Sequence, residues 1–222
     1  MTGIIQKLHA IVGDKGLLTG DAVTSRTGNL WTGEALNAKA MVRPASTAEV
    51  SAVLACCNDA KQPVVPAGGL TGLVEGQQAS AGEILLSLER MNTIEDMNET
   101  DRTMTVQGGA ILEIVQQKAE AAGLMFPLDL GARASCTIGG NIATNAGGVR
   151  VVRYGMMRNL VLGLEAVLAD GTVLDGMSGL IKNNTGYDLK HLFVGSEGTL
   201  GVVTRAVLRL HEALPGVGTA FL

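Results

Sequence analysis

Pro63-Val64-Val65-Pro66-Ala67-Gly68-Gly69-Leu70-Thr71-Gly72 is the stretch on which the fold turns. Its β-branched valines between prolines read as a short buried strand, and the strand empties directly into glycine. Bare backbone can approach a ligand closely, and successive N–H groups in such a turn form an anion nest. A strand that ends this way is a ligand-facing edge.

Working outward from that edge, the upstream chain predicts a helix–strand–helix run. Ile4, Ile5, Leu8, Ile11 and Val12 recur at helical spacing and give a first helix ending at Gly13. Residues 16–37 form an irregular segment around a lone Trp31. Lys39 to Val42 reads as a strand stopped by Pro44, and Ser46 with Glu49 makes a capping box for a helix running to about Ala60. Downstream, Glu83 to Leu88 is another strand. Thr93 to Met97 and Thr103 to Gln107 alternate as a hairpin, and a helix follows from Ala110 to Ala122, stopped at Gly123. Ile138 to Ala146 reads as a short helix, as does the neighbourhood of Tyr187 to Leu192. Leu162 to Ala169 and Thr172 to Asp175 flank a hairpin signal at Asp170-Gly171, and Val202 to Leu210 is a closing strand. Helices do not alternate regularly with strands in the second half, so the prediction is an α+β fold of two lobes with a boundary at Gly108 or Gly109.

Composition narrows the function. Thirty glycines in 222 residues exceed ordinary usage without any Gly-X-Y period, so the excess belongs to turns and ligand contacts. Hydrophobic residues at 46% are enough to build a core, which excludes a disordered chain. A net charge of −4 provides no global field for nucleic acid, and small molecules become the expected partners. No apolar run approaches the ~18 residues of a membrane span, and the expectation is a soluble, cytoplasmic protein. Cys56, Cys57 and Cys136 match neither a disulfide framework nor a zinc site and read as reduced core thiols.

No G-x-G-x-x-G, P-loop, G-x-S-x-G or H-E-x-x-H motif is present. What remains are glycine clusters at Gly68 to Gly76, Gly139 to Gly148 and Gly195 to Gly201. From Leu130 to Leu164 there is no Asp or Glu, while Arg133, Arg150, Arg153 and Arg158 fall inside. That window suits an anionic ligand; the competing reading is a packed helix and turn with solvent-facing arginines. His9 and His211 read as surface residues, and His191 has no partner at ligand spacing, so no metal site is expected. Glu197, between glycines, could act as a base, but reads better as an anchor for backbone amides. Met156-Met157 reads as packing.

Read together, Pro66 to Val74, Pro127-Leu128-Asp129-Leu130-Gly131, Ile138 to Gly148, Arg153-Tyr154-Gly155, and Asn184 to Leu189 followed by Gly195 to Gly201 resemble the FAD-binding part of the vanillyl-alcohol oxidase type flavoproteins. Within that superfamily the chain is most similar to the branch of D-2-hydroxyglutarate dehydrogenases, D-lactate dehydrogenases and glycolate oxidase FAD subunits, from Ala38 to Leu210. The resemblance implies a two-subdomain, PCMH-type α+β fold with residues 1–37 as an N-terminal helix and irregular segment, 38–109 as the first FAD-binding subdomain and 110–222 as the second. It implies non-covalent FAD stretched between them. Pro66, Ala67, Gly68, Gly69, Leu70, Thr71 and Gly72 would wrap the pyrophosphate. Pro127, Leu130, Gly131, Ser135, Thr137, Gly139, Gly140, Asn141, Thr144, Asn145 and Gly147 would line the ribityl chain and flavin. Glu197, Gly198, Gly201, Val202 and Val203 would edge the adenosine and flavin side.

The activity implied is hydride transfer from C2 of a small D-2-hydroxy acid to FAD, with the electron acceptor open. Two alternatives stand beside it: an FAD-binding module without turnover of its own, and a UDP-N-acetylmuramate dehydrogenase-like reductase using NADPH. In this family a C-terminal domain binds the substrate carboxylate and carries the catalytic histidine or metal ligands. We expect that domain beyond Leu222 or on a separate polypeptide, and expect the 222-residue chain to expose apolar surface and self-associate. Two positions depart from the family pattern. Leu70 stands where the branch usually has Asn and covalent relatives have His, and Glu75 stands where Gly is usual.

Overall fold

The apolar spacing at the start of the chain does make a helix, and in the computed structural model, which describes residues 3–28, 32–216 and 218, it runs from Ile4 to Gly16 as α1. At Gly13 the backbone leaves helical values (φ 66°, ψ −175°), a conformation that glycine adopts freely, so the helix is interrupted where the sequence puts its end and a last short turn carries on to Gly16. Trp31 and Phe221 lie outside the described residues. Part of the segment expected to be irregular is ordered: β1 (Leu17–Leu18) pairs antiparallel with β2 (Ala40–Val42), and α2 (Asp21–Thr24) lies between them. Ser46 caps α3 (Thr47–Asp59), its hydroxyl accepting the Glu49 N–H at 3.2 Å. The Glu49 carboxylate closes the motif one residue early, accepting the Ala45 N–H at 2.8 Å.

β3 (Val64–Ala67) and β4 (Ile84–Ser87) complete a first sheet in the order β1-β2-β4-β3, with β4 parallel to both neighbours. Every residue of β2 and β4 is buried, as expected of parallel strands covered on both faces. Leu8, Val50, Val53, Ile84 and Leu86 pack between α1, α3 and this sheet. Each such side chain contributes roughly 1.5–3 kcal/mol of hydrophobic stabilisation.

β5 (Ile94–Asn98) and β6 (Thr103–Gln107) form the expected hairpin. Then come α4 (Leu112–Glu120), β7 (Leu124–Met125), α5 (Ile138–Ala143), α6 (Val151–Tyr154), α7 (Met157–Leu160), β8 (Val161–Val167), β9 (Val173–Gly176), α8 (Lys190–Phe193), β10 (Val202–Arg209) and β11 (His211–Glu212). The second sheet is antiparallel in the order β5-β6-β10-β8-β9. Because β6 bonds to β10 along its whole length, the hairpin belongs to this sheet. The change of sheet therefore falls between Ser87 and Ile94, not at Gly108-Gly109.

Phe126, Met104, Ile138, Ile142 and Met157 fill the core beneath the second sheet. The two lobes are not separate cores, because Val167 and Val202 pack with the first-lobe residues. His211, expected at the surface, is half-buried: β11 pairs with β7, and the imidazole meets the Tyr154 ring edge-on at 4.9 Å. Among the described residues no helix is long and apolar enough to cross a membrane.

Candidate functional site

β3 delivers its chain into the first glycine loop at the edge where the two lobes meet. Among the described residues, no backbone N–H from Gly68 to Gln77 donates a hydrogen bond, and the loop is exposed or half-buried throughout. A run of uncommitted donors of this kind suits a multiply charged anion. Leu70 and Glu75 hold φ 57° and 61°, left-handed values that cost a side chain bearing Cβ about 1–2 kcal/mol and that Asn or Gly adopt more readily.

Glycine lets the three clusters touch. A Cβ on Gly68 would stand 2.8 Å from Thr137 Oγ1 and 3.4 Å from the Gly140 Cα, and one on Gly69 would run into the Ser135 carbonyl. A Cβ on Gly198, which holds φ 78°, would meet Pro66 at 2.9 Å. Gly195 and Glu197 donate their N–H groups to the Ile142 and Ala143 carbonyls, docking the third cluster on the end of α5. The glycines thus serve close approach of the clusters to one another, against backbone at Gly69 and against side chains at Gly68 and Gly198; the N–H groups of the first loop are the part left uncommitted.

The second cluster is less available than the sequence suggests. Ile138, Gly139 and Asn141 donate to the Ala110, Gly108 and Thr137 carbonyls, and Thr137 Oγ1 caps the Gly140 N–H at 3.4 Å. Asn141 is buried, with its amide 3.6 Å from Cys136 Sγ, while Asn145 Oδ1 accepts the Arg158 N–H at 3.0 Å. Thr144 turns its hydroxyl back to the Gly140 carbonyl. Pro127, Val202 and Val203 are buried. Ser135, Gly131, Thr144 and Gly147 are exposed, and Leu130 and Gly201 are half-buried. Of the flavin-side residues, therefore, Gly131, Ser135, Thr144 and Gly147 offer the most surface to a ligand.

The four arginines of the acid-free window do not converge. Arg133 and Arg150 both reach Asp129, at 3.3 and 3.6 Å, beside a hollow of about 330 Å³ that they line with Glu113. Arg153 lies over the Tyr154 ring, 5.1 Å from its centroid. Arg158 ties the chain together, donating to the carbonyls of His191 (3.0 Å) and Val194 (2.5 Å). Burial lowers the pKa of His191, and although Asp188 opposes this, Lys190 and Arg158 reinforce it. Glu197 does not anchor backbone amides: among the described residues nothing donates to its carboxylate, which hangs beside Gly76.

Two features escape inspection of the sequence. Gly108 and Gly139 stack bare backbone against the Val203 carbonyl, and Gly108 N–H donates to the Thr204 carbonyl at 2.7 Å. Paired glycines after a strand were the only signal. Glu165 is a buried acid in an apolar strand, 6% exposed, with no neighbouring motif to mark it. Among the described residues no group of three or more His, Cys, Asp or Glu could hold a metal ion.

Compared with known proteins, residues 38–176 match a family described as FAD binding domain. A rice (Oryza sativa subsp. indica) protein named "Probable D-2-hydroxyglutarate dehydrogenase, mitochondrial" is 46% identical over 219 residues, covering 98% of this chain and 39% of the relative. D-2-hydroxyglutarate dehydrogenase of Xanthomonas citri pv. viticola is 51% identical over 179 residues, covering 81% of this chain and 38% of the relative. The chain thus spans about two fifths of the length of these curated relatives, at 39% and 38%. Among solved structures, an alkyldihydroxyacetonephosphate synthase superposes with a TM-score of 0.81 at 21% identity, over 96% of this chain and 41% of that one. That likeness supports the α+β fold.

Proposed function

The chain belongs to the FAD binding domain family, and from that premise we propose that it is the flavin-holding part of a dehydrogenase that oxidises a small D-2-hydroxy acid, D-2-hydroxyglutarate, to its 2-oxo acid. The observation that carries the reading is the first glycine loop: from Gly68 to Gln77 no N–H is committed within the described protein, so the loop is free to hold a diphosphate. The chemistry FAD supplies when bound is acceptance of the hydride leaving C2 of the substrate. The chain's own part is to hold and orient. Its loop N–H groups would hydrogen-bond the diphosphate, the contacts of Gly68 with Thr137 and of Gly198 with Pro66 hold the clusters together, and Gly131, Ser135, Thr144 and Gly147 offer the surface along which the rest of the cofactor would lie.

We assign no general base to the described residues. Glu75 within the loop and Glu197 beside it carry carboxylates with no side-chain partner among the described residues, and both stand near the free N–H groups, where a carboxylate serves the anion-binding surface poorly. A second reading follows: on its own the chain is a binding module that turns nothing over. The free thiols of Cys56, Cys57 and Cys136 support a reducing compartment, which we take to be the cytoplasm.

The test is D-2-hydroxyglutarate-dependent dye reduction, assayed with added FAD in the 222-residue chain and in a form extended to the length of the relatives. Reduction by the extended form alone supports both parts of the proposal. Reduction by the short chain overturns the module reading, and a flavin-loaded extended form inert towards D-2-hydroxy acids overturns the dehydrogenase reading.

A further inference from the structure

Glu165 lies on β8, where an apolar strand would be expected to continue, and its carboxylate is buried. Burial of an unpaired carboxylate is costly, so its partners identify what the residue does. Oε1 accepts the Thr47 hydroxyl at 2.6 Å and the Thr204 hydroxyl at 2.7 Å, and Oε2 lies 3.5 Å from Arg205 Nη1. Arg205 is itself held by Glu95. Thr47 opens α3 in the first lobe, whereas Glu165, Thr204 and Arg205 stand in the second sheet.

Thr204 is not an ordinary strand residue. The β8–β10 register passes from Val203↔Ala166 to Arg205↔Glu165, so Thr204 is the extra residue of a β-bulge. Its carbonyl takes the Gly108 N–H, and Gly108 in turn takes the Gly139 N–H that begins α5. One carboxylate oxygen therefore holds the first turn of α3 and the bulge that abuts the start of α5. A second tie runs parallel to it, from the Ser51 hydroxyl of α3 to the Gly171 carbonyl at 2.5 Å.

We propose that Glu165 is a positioning residue: it pins α3 to the bulged strand and so sets the separation of the two lobes across the flavin seam. This rests on the FAD reading for its effect on binding, but the pin itself can be read without flavin. Thr47→Val removes one hydroxyl from the pin with nearly the same volume, and Thr47→Ser returns it. In the flavin-free 222-residue chain, spin labels at Asp59→Cys on α3 and Lys118→Cys on α4, in a Cys56→Ser background, report the inter-lobe distance. A single narrow distribution is expected for the parent and Thr47→Ser, and a broadened or displaced one for Thr47→Val. An unchanged distribution in Thr47→Val overturns the pin.

FAD titration at a temperature where every variant is folded then reads the consequence. The dissociation constant should rise about tenfold in Thr47→Val, the scale of a lost hydrogen bond to a charged group, and return to the parental value in Thr47→Ser. A purely structural role would lower the melting temperature and leave that constant unmoved, which would refute positioning. A parent chain that binds no FAD overturns the function proposed above, while the label distances still decide the pin.

Discussion

Gly131 and Gly69 pose different tests at the scale of single residues. A Cβ on Gly131 meets nothing within 4 Å, whereas one on Gly69 strikes the Ser135 carbonyl. Gly131→Val should therefore fold with a stability within about 0.5 kcal/mol of the parent and still lose affinity for FAD, if the cofactor runs along this surface. Calorimetric melting together with a flavin titration checks it; unchanged affinity would remove Gly131 from the site. Gly69→Val is expected to lose flavin as well, but through a loop forced away from Ser135, so it says nothing about direct contact. Cys136 answers the question of covalent attachment. Its backbone is next to Gly69, but the thiol is buried, and burial raises its pKa despite the Asn141 hydrogen bond, so it is a protonated and poor nucleophile. The flavin should remain in the supernatant when the loaded protein is precipitated with acid; colour in the pellet would show a covalent link.

Elements depend on charges as well as on apolar spacing, and the chain after β4 shows how. Glu89 accepts from Arg26 at 2.7 Å and Arg43 at 2.8 Å, tying together the segments that follow α2, β2 and β4. Burial pushes its pKa up, but the hydrogen bonds and charges of the two arginines together prevail and hold it below the usual 4.5. A carboxylate with a lowered folded pKa adds stability above its unfolded value, and that stability is lost as pH falls through the folded one. Glu89→Gln should thus cost about 2 kcal/mol at pH 7, and the gap from the parent should close as pH drops below 4.5. Urea melts at pH 7, 5 and 3 would show it, and a gap that stays constant would mean the pair contributes no linkage. Such ties are invisible in a sequence because their partners lie far apart in it: Arg26 and Glu89 are 63 residues apart. The same distance in sequence explains what could be read and what could not. The α3 cap, the β5–β6 hairpin and the Asp170-Gly171 turn are local chemistry and stand where the sequence puts them. The β6–β10 pairing joins a strand from the middle of the chain to one near its end, and no periodic signal announces it. For the candidate site, the glycine clusters were legible but the purpose of each glycine was not, since the missing Cβ of Gly69 or Gly198 is explained only by the backbone or proline it would strike.

The molecule as a whole exposes large apolar side chains on several segments. Leu73 and Val74 on the first loop, Val149 and Val152 beyond α5, and Leu180, Ile181 and Tyr187 before α8 are each more than 60% exposed. Several stand on the same segments as the glycine clusters, so the apolar surface and the candidate flavin seam are neighbours. With only 17% charged residues in the chain, few charges interrupt it. Contiguous exposed patches beyond ~400 Å² favour association, and a flavin ring left open on one face also gives up part of its binding energy to water. The 222-residue chain should therefore self-associate in sedimentation and bind FAD weakly, with partial loading on isolation. Leu180→Lys together with Ile181→Lys should shift it towards monomer without changing FAD affinity, since neither residue lies in the loop that holds the diphosphate. A parent chain that is monomeric at tens of micromolar and fully loaded with flavin would show that these side chains are already accommodated and that the seam needs no further cover.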